Sequence, residues 1–274
     1  MNKIAGKKAL VLGGIKGIGK KIAIALAKQK VKVAINYYDW EESLDALKKD
    51  INQVSNQHLI LKTDLRKTEN IPALIKKVIS NFGGLDILIN NIERGGWPIV
   101  HGDYTQNQWD MEFETTVRAK QWIFKEALPH LKASGDGAVI NFSSIAGIIG
   151  RTGPASLIFN DGYAAANRGI SILTETWAKL GAPEVKVNEI MLGFFETRHG
   201  EKTRGWELLT EKQKQDIKEH TLLKRYGKIK DIVKTVLFFI KDAPFITGSI
   251  IKLDGGYTIG GEKIYPMPTS QYNI

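Results

Sequence analysis

The sequence predicts an α/β fold, a doubly wound parallel sheet of about seven strands with helices on both faces. Three observations carry this. Short runs rich in β-branched residues alternate with longer stretches whose apolar residues recur at helical spacing. The alternation runs almost the full length of the chain without a Pro/Ser-rich linker, an internal repeat or a low-complexity segment. A glycine-rich turn, Gly13 to Gly19, joins the first such run to the first amphipathic stretch. Repeated strand–helix–strand units imply parallel strands covered by helices on both sides.

Each element has its own signal. Ala9–Leu12, Val31–Ile35, Leu59–Leu61, Leu85–Ile89, Ala138–Phe142, Val185–Ile190 and Ser249–Leu253 read as strands. Ile18, Ile22, Ala25 and Leu26 fall at i, i+4, i+7 and i+8, on one face of a first helix. Leu44, Leu47 and Ile51 mark a second helix, and Ile71, Leu74, Ile75, Val78 and Ile79 a third. Residues 1–274 are therefore expected to form a single domain. Two stretches depart from the rhythm. Ile145–Asp161 is Gly-rich and irregular, and residues 194–227 form a polar insertion with a helix expected around Leu208–His220. Both follow strands at the carboxyl edge of the sheet, where open α/β sheets bind ligands, and are candidate substrate loops.

Composition narrows the chemistry. The chain has no cysteine, which excludes a disulfide framework, a thiol nucleophile and thiolate-ligated metal. Its five histidines, His58, His101, His130, His199 and His220, show no metal-ligand spacing, so no metal is expected. Thirty-nine Lys and Arg against 29 Asp and Glu leave a formal charge of +10, which favours anionic small molecules. Lys212–Lys230 is interrupted by Glu211, Asp216, Glu219 and Asp231 at its edges and interior, a solvated face rather than a nucleic-acid groove. The longest apolar run, Val236–Ile240, falls far short of the roughly 18 residues of a membrane span. The basic start breaks at Gly13, too soon for a secretory leader, so a cytoplasmic protein with neither nucleic-acid nor membrane partner is expected.

The sharpest motif is Gly13-Gly14-Ile15-Lys16-Gly17-Ile18-Gly19. Glycines between a strand and a helix let the backbone approach a pyrophosphate, whose charge meets the helix N-terminus. Dinucleotide binding follows from that position in the chain.

Further segments recur in a fixed order. They are Leu12-Gly13-x-x-x-Gly17-x-Gly19, Asp64-Leu65, Asn90-Asn91-Ile92-Glu93, Asn141-Phe142-Ser143-Ser144, Tyr163-Ala164-Ala165-Ala166-Asn167 and Leu192-Gly193-Phe194-Phe195-Glu196-Thr197. Thr247-Gly248 and Asp254-Gly255-Gly256 complete the series. In this order they resemble the short-chain dehydrogenase/reductase family over nearly the whole chain, and among its members the 3-oxoacyl-thioester reductases. The resemblance implies a Rossmann fold and a nicotinamide cofactor held by Gly13, Ile15, Lys16, Gly17, Ile18, Gly19, Tyr37, Asp64, Leu65, Asn90, Ile92, Gly193, Phe195 and Thr197. It also implies a small carbonyl or alcohol substrate and a homo-oligomer, a tetramer. Trp122, Phe124 and Trp177, on the long helices that pair in such assemblies, are candidate interface residues, with core packing equally natural for them.

NAD-reading enzymes place a carboxylate at the end of the second strand, which would repel a 2′-phosphate. Here Tyr37 stands there and Lys16 reaches the same corner, so NADP(H) is favoured over NAD(H). By resemblance, Tyr163 is the proton donor and Ser144 the hydrogen-bond partner of the reacting oxygen. The family lysine four residues after the tyrosine is Asn167, and Thr116 occupies the place of the family's relay asparagine. A tyrosine without that cation keeps its pKa near 10, which handicaps alcohol oxidation more than carbonyl reduction. The expected activity is NADP(H)-dependent hydride transfer to a carbonyl. The alternative is a nucleotide-binding relative with impaired catalysis and a regulatory or structural role. Extra residues within Gly150–Asn160 either cover the substrate or supply a replacement charge in Arg151.

Overall fold

The computed structural model describes residues 4–93, 105–196, 206 and 209–267. Among the described residues, seven strands form one parallel sheet in the order β3-β2-β1-β4-β5-β6-β7. They are β1 (Lys8–Val11), β2 (Lys32–Tyr37), β3 (His58–Lys62), β4 (Ile87–Asn90), β5 (Gly137–Ser144), β6 (Val185–Leu192) and β7 (Ile250–Leu253). All seven expected strands are present, with ends shifted by a few residues at most. The central strands β1, β4 and β5 are apolar along most of their length because a parallel sheet is covered on both faces. Register brings the functional turns to one edge. Val11 lies beside Ile35 and Ile89, and Ser144 lies beside Leu192.

The helices are α1 (Gly17–Lys28), α2 (Leu44–Asn52), α3 (Ile71–Phe82), α4 (Gln106–Glu112), α5 (Ala119–Ala133), α6 (Ala146–Ile149), α7 (Asp161–Gly181), α8 (Glu211–His220) and α9 (Ile229–Lys241). On one face of the sheet, Ile22 and Leu26 of α1 pack with Val236 and Phe239 of α9. On the other, Leu74 and Ile75 of α3 join Ile123 and Phe124 of α5 and Trp177 of α7. A third apolar cluster, including Phe159, Tyr163, Phe194 and Tyr257, sits over the carboxyl edge.

Three local readings change. The buried face of α1 centres on Ile22, Ala23, Leu26 and Ala27, while Ile18 and Ala25 are half-buried. The helix expected from Leu208 starts at Glu211, because Thr210 and Gln213 form a capping box. The Thr210 hydroxyl accepts the Gln213 N–H at 3.2 Å, and the Gln213 side chain accepts the Thr210 N–H at 2.8 Å. Phe124 and Trp177 stack 4.5 Å apart inside the core and offer no subunit interface, whereas Trp122 stays 42% exposed. Among the described residues no helix is long and apolar enough to cross a membrane.

Between α4 and α5 the chain makes a π-helical turn over Phe113–Arg118. The Thr115 hydroxyl donates to Met111 O at 2.8 Å there, and the turn buries Thr116 completely. Such turns are rare and gather at functional sites.

Candidate active site

The glycine turn follows β1 directly. Gly13 has φ +62°, and a Cβ on it would lie 2.6 Å from Asn91 O. A Cβ on Gly19 would strike Gly13 O and approach Asn91 Nδ2 at 2.7 Å. Asn91 in turn donates its side-chain N–H to Gly13 O at 3.2 Å, fixing the turn to the end of β4. Gly17, at φ +56°, faces open space, and no side chain caps α1, whose first turn holds no acid. Backbone N–H groups at an uncapped helix start, beside a glycine with room in front of it, fit a pyrophosphate. Ile15 is buried behind the turn and Ile18 packs on the α1 face of the core.

The neighbouring corner carries charge and aromatic rings. The Lys16 ammonium lies 2.6 Å from the centroid of the Trp40 ring. Tyr37 ends β2 and is almost buried, and Asn36 before it donates to Thr63 O at 3.2 Å. Asp64 is already engaged. Arg66 grips its carboxylate with Nε at 3.0 Å and Nη2 at 2.7 Å. Burial pushes Asp64 up, but the Arg66 hydrogen bonds and charge outweigh it and hold the carboxyl below its usual range. Leu65 is buried beside them. An adenine at Asp64 must share that carboxylate with Arg66.

The candidate catalytic residues Ser144 and Tyr163 lie at the carboxyl edge of the sheet, where β5 ends. Ser144 closes β5, its hydroxyl accepting the Ala146 N–H at 3.2 Å. Asn160 caps α7 by accepting the Tyr163 N–H at 2.7 Å, which sets Tyr163 in the first turn at the same edge. The Tyr163 side chain lies near Ser144 and Glu93 at this edge. Burial first, then Glu93 by charge and hydrogen bond, holds Tyr163 well above the ordinary phenol range, with Ser144 opposing. Phe159 stacks 6.0 Å from Tyr163 and 5.8 Å from Phe194, and Phe194 meets Tyr257 at 5.0 Å. The Tyr257 hydroxyl accepts the Ala155 N–H at 2.9 Å, tying the 150–160 stretch to this aromatic wall.

Asn167 is fully buried, and its amide nitrogen donates to Tyr163 O at 2.9 Å. The side chain thus turns back on its own helix, and its Oδ1 has no partner among the described residues. Arg151 is no substitute cation: it is exposed and lies 3.9 Å from Asp161, also exposed. Thr116 is buried with its hydroxyl unpartnered among the described residues. One turn further, Lys120 is wholly buried and donates from Nζ to Phe142 O at 2.7 Å. Burial pulls Lys120 down to about 8, against the attraction of Glu93 and Glu189. Glu189 accepts from the hydroxyls of Ser143 and, at 3.1 Å, Ser171.

The remaining expected contacts divide. Gly193 lies so close to Asp254 that a Cβ would come within 2.7 Å of its Cα. Asn90 turns into the sheet, donating to Asn141 Oδ1 at 2.7 Å, and Asn141 donates to Thr174 at 2.8 Å. Ile92 packs against the core beside α3 and α5. Phe195 bridges to Gly227 and is buried in the core, so Phe194 is the member of the pair that faces Tyr163's cluster. Thr197 lies outside the described residues.

A family description, enoyl-(acyl carrier protein) reductase, matches residues 13–258. A 3-oxoacyl-[acyl-carrier-protein] reductase of Staphylococcus aureus is 31% identical over 258 residues, covering 91% of this chain and 97% of the relative. The chain belongs to the short-chain dehydrogenase/reductase family. Glucose 1-dehydrogenase 2 of Bacillus subtilis is 29% identical, covering 93% of this chain and 96% of its own. A short-chain alcohol dehydrogenase structure from Sinorhizobium meliloti superposes with a TM-score of 0.83 at 28% identity, covering 94% of this chain and 99% of that one. By this membership the protein is an oxidoreductase of the short-chain reductase type, binding a nicotinamide cofactor and acting on a small molecule.

Within the family, this chain departs at the residues around Tyr163. Sequence reading singled out Asn167 and Thr116 but passed over Lys120, Glu93, Phe194 and Arg66. A signal existed for two of them. Lys120 follows Thr116 at i+4 and shares its helix face, and Glu93 ends the Asn90-Asn91-Ile92-Glu93 segment where the family has glycine. Nothing in the spacing marks Phe194 over Phe195, because the choice is made by the bridge to Gly227.

Proposed function

We propose that the protein is an NADP(H)-dependent carbonyl reductase in which Tyr163 protonates the carbonyl oxygen and Ser144 hydrogen-bonds it. The observation that carries this reading is the Tyr163 hydroxyl held beside Ser144 in an apolar, aromatic setting that keeps it a phenol. A phenol is the form that gives a proton, so the site favours reduction. The cofactor, when bound, supplies the hydride. Gly13, Gly17 and Gly19 with the start of α1 would hold its phosphates, and Asp64, Leu65, Asn90, Ile92, Gly193, Phe195 and Thr197 are the family-pattern positions along its course, of which Asn90, Ile92 and Phe195 turn their side chains inward. Lys16, with Tyr37 in place of a β2 carboxylate, supports the 2′-phosphate and hence NADPH.

The 3-oxoacyl thioester reductase relatives support a thioester or similar anionic carbonyl substrate, which suits the +10 charge. The unbroken sheet supports one domain over 1–274 with 194–227 as its substrate loop. A cytoplasmic homotetramer completes the reading on family grounds. The test is NADPH consumption over a carbonyl panel that includes 3-oxoacyl thioesters. Turnover is expected on at least one class, and Tyr163→Phe should cut it by at least about 100-fold. Turnover that survives this substitution moves the proton donor elsewhere. A parent inert on every carbonyl while binding NADPH establishes the nucleotide-binding, non-catalytic alternative.

A further inference from the structure

One face of β5 and β6 changes character toward the reactive edge. Val139 and Val187 belong to the apolar layer beneath α5 and α7. Two residues further along the same strands stand Asn141 and Glu189, in register with each other, and then Ser143 on β5. All three are buried, Asn141 and Glu189 completely. A carboxyl group enclosed in such a layer is costly unless its oxygens are hydrogen-bonded. Glu189 spends one oxygen on two different elements. Its Oε1 accepts from the Ser143 hydroxyl on β5 and, at 3.1 Å, from the Ser171 hydroxyl on α7. Ser143 immediately precedes Ser144, and Ser171 lies on the buried face of α7 two turns past Tyr163. A single atom on β6 therefore ties the strand that carries Ser144 to the helix that carries Tyr163.

Two further buried bonds act on the same strand. Asn141 donates to Thr174 Oγ1 at 2.8 Å, one turn beyond Ser171, and Lys120 on α5 donates to Phe142 O at 2.7 Å. The first attaches β5 to α7 deeper in the sheet, and the second attaches it to α5. The tie through Glu189 acts at the residue next to Ser144.

We propose that Glu189 is a positioning residue for the reaction, its carboxyl oxygen clamping Ser143 of β5 to Ser171 of α7 so that the Ser144 and Tyr163 hydroxyls are held at one spacing. This assignment rests on the reductase reading above and deepens it. Both hydroxyls must reach the same carbonyl oxygen, and a misplacement of about 1 Å costs about 100-fold in such a step. The glycine turn is fixed separately, by Asn91 to the end of β4, so loosening the clamp acts on the chemistry and spares nucleotide binding. What the clamp needs is an acceptor rather than a charge. The carbonyl oxygen of a glutamine can accept from both serines, whereas a methionine leaves both hydroxyls without it.

The test compares Glu189→Gln, Glu189→Met and Ser171→Ala in steady-state carbonyl reduction, calorimetric NADPH binding and hydrogen exchange of the apoprotein. Glu189→Met should lower kcat about 10- to 100-fold while the NADPH dissociation constant stays within about threefold of the parent. Glu189→Gln should return kcat to within about threefold of the parent. Ser171→Ala removes one bond and keeps the test open if Glu189→Met does not fold; it should lower kcat about three- to tenfold. A packing role alone would lower the thermal midpoint and leave the kcat of the folded protein unchanged. Parent-like kcat in Glu189→Met, or in Ser171→Ala where the former does not fold, overturns the assignment, as does a Glu189→Gln variant as slow as Glu189→Met. A parent inert on every carbonyl removes the reductase reading by itself, and exchange then decides the clamp. Faster exchange confined to β5 and the first turns of α7 in Glu189→Met or Ser171→Ala, and parent-like in Glu189→Gln, retains it. A uniform rise over the whole chain overturns it.

Discussion

Lys16 lies over the Trp40 ring at the corner proposed to take a 2′-phosphate. With its ammonium over Trp40 it is partly desolvated before any ligand arrives, and a cation–π contact of this kind contributes about 0.5–2 kcal/mol. A charge-assisted bond to a 2′-phosphate contributes about 1.5–3 kcal/mol. Lys16→Ala is therefore expected to weaken NADPH about 10- to 100-fold and NADH less than about threefold, as calorimetry would record. Equal losses for both nucleotides would remove Lys16 from the phosphate role. The position of Lys16 was legible because the glycine turn fixes it within a few residues. Trp40 was not, because it reaches Lys16 from a left-handed backbone conformation (φ 67°) that its sequence neighbours do not announce. Asn167 shows the same limit: its identity revealed a missing cation, but not that its amide would fold back on Tyr163 O.

The elements were legible where burial is two-sided. β1, β4 and β5 are short apolar runs because both faces are covered, and their length and β-branched content separate them from buried helix segments. The π-helical turn was invisible, since nothing in Phe113–Arg118 departs from an ordinary helical composition. It matters because it leads into α5 just before Lys120, whose ammonium reaches Phe142 O on β5. The pairing of α5 with α7 depends on the Phe124–Trp177 stack, reinforced by the Trp177 indole N–H donated to Gln121 Oε1 at 3.1 Å. Trp177→Ala should cost about 3–5 kcal/mol in urea unfolding, in line with large aromatic deletions in cores. At the exposed end of the scale, Thr210→Ala should cost about 1 kcal/mol by removing the cap of α8. A loss near zero there would mean that α8 is held by Ile217 packing alone.

The whole molecule has one further expectation attached to it. With Phe124 and Trp177 committed to the core, an assembly through the long helices must use exposed residues such as Trp122, Ile172 and Leu180. Light scattering at micromolar concentration should give a tetramer, and Ile172→Glu should reduce its mass. A parent that is monomeric rejects the assembly. The parallel, doubly wound sheet and the edge at which the turns gather followed from alternation, whereas the order of its strands is a finding of the structure. The site was legible only as far as the family pattern reaches, since the buried Lys120 lies outside every segment of that pattern.

The hydrogen bond from Ala155 to Tyr257 joins positions 102 residues apart in the chain. It ties the 150–160 stretch to the far segment, since the Ala155 N–H is anchored there. Tyr257→Phe keeps the ring but leaves a buried N–H without its acceptor, a cost of about 1–3 kcal/mol. The stretch should loosen, raising KM for bulky carbonyls more than it lowers kcat. Trimming or tagging near this segment is expected to shift KM for bulky carbonyls in the same direction, a comparison that steady-state kinetics on two such preparations would record.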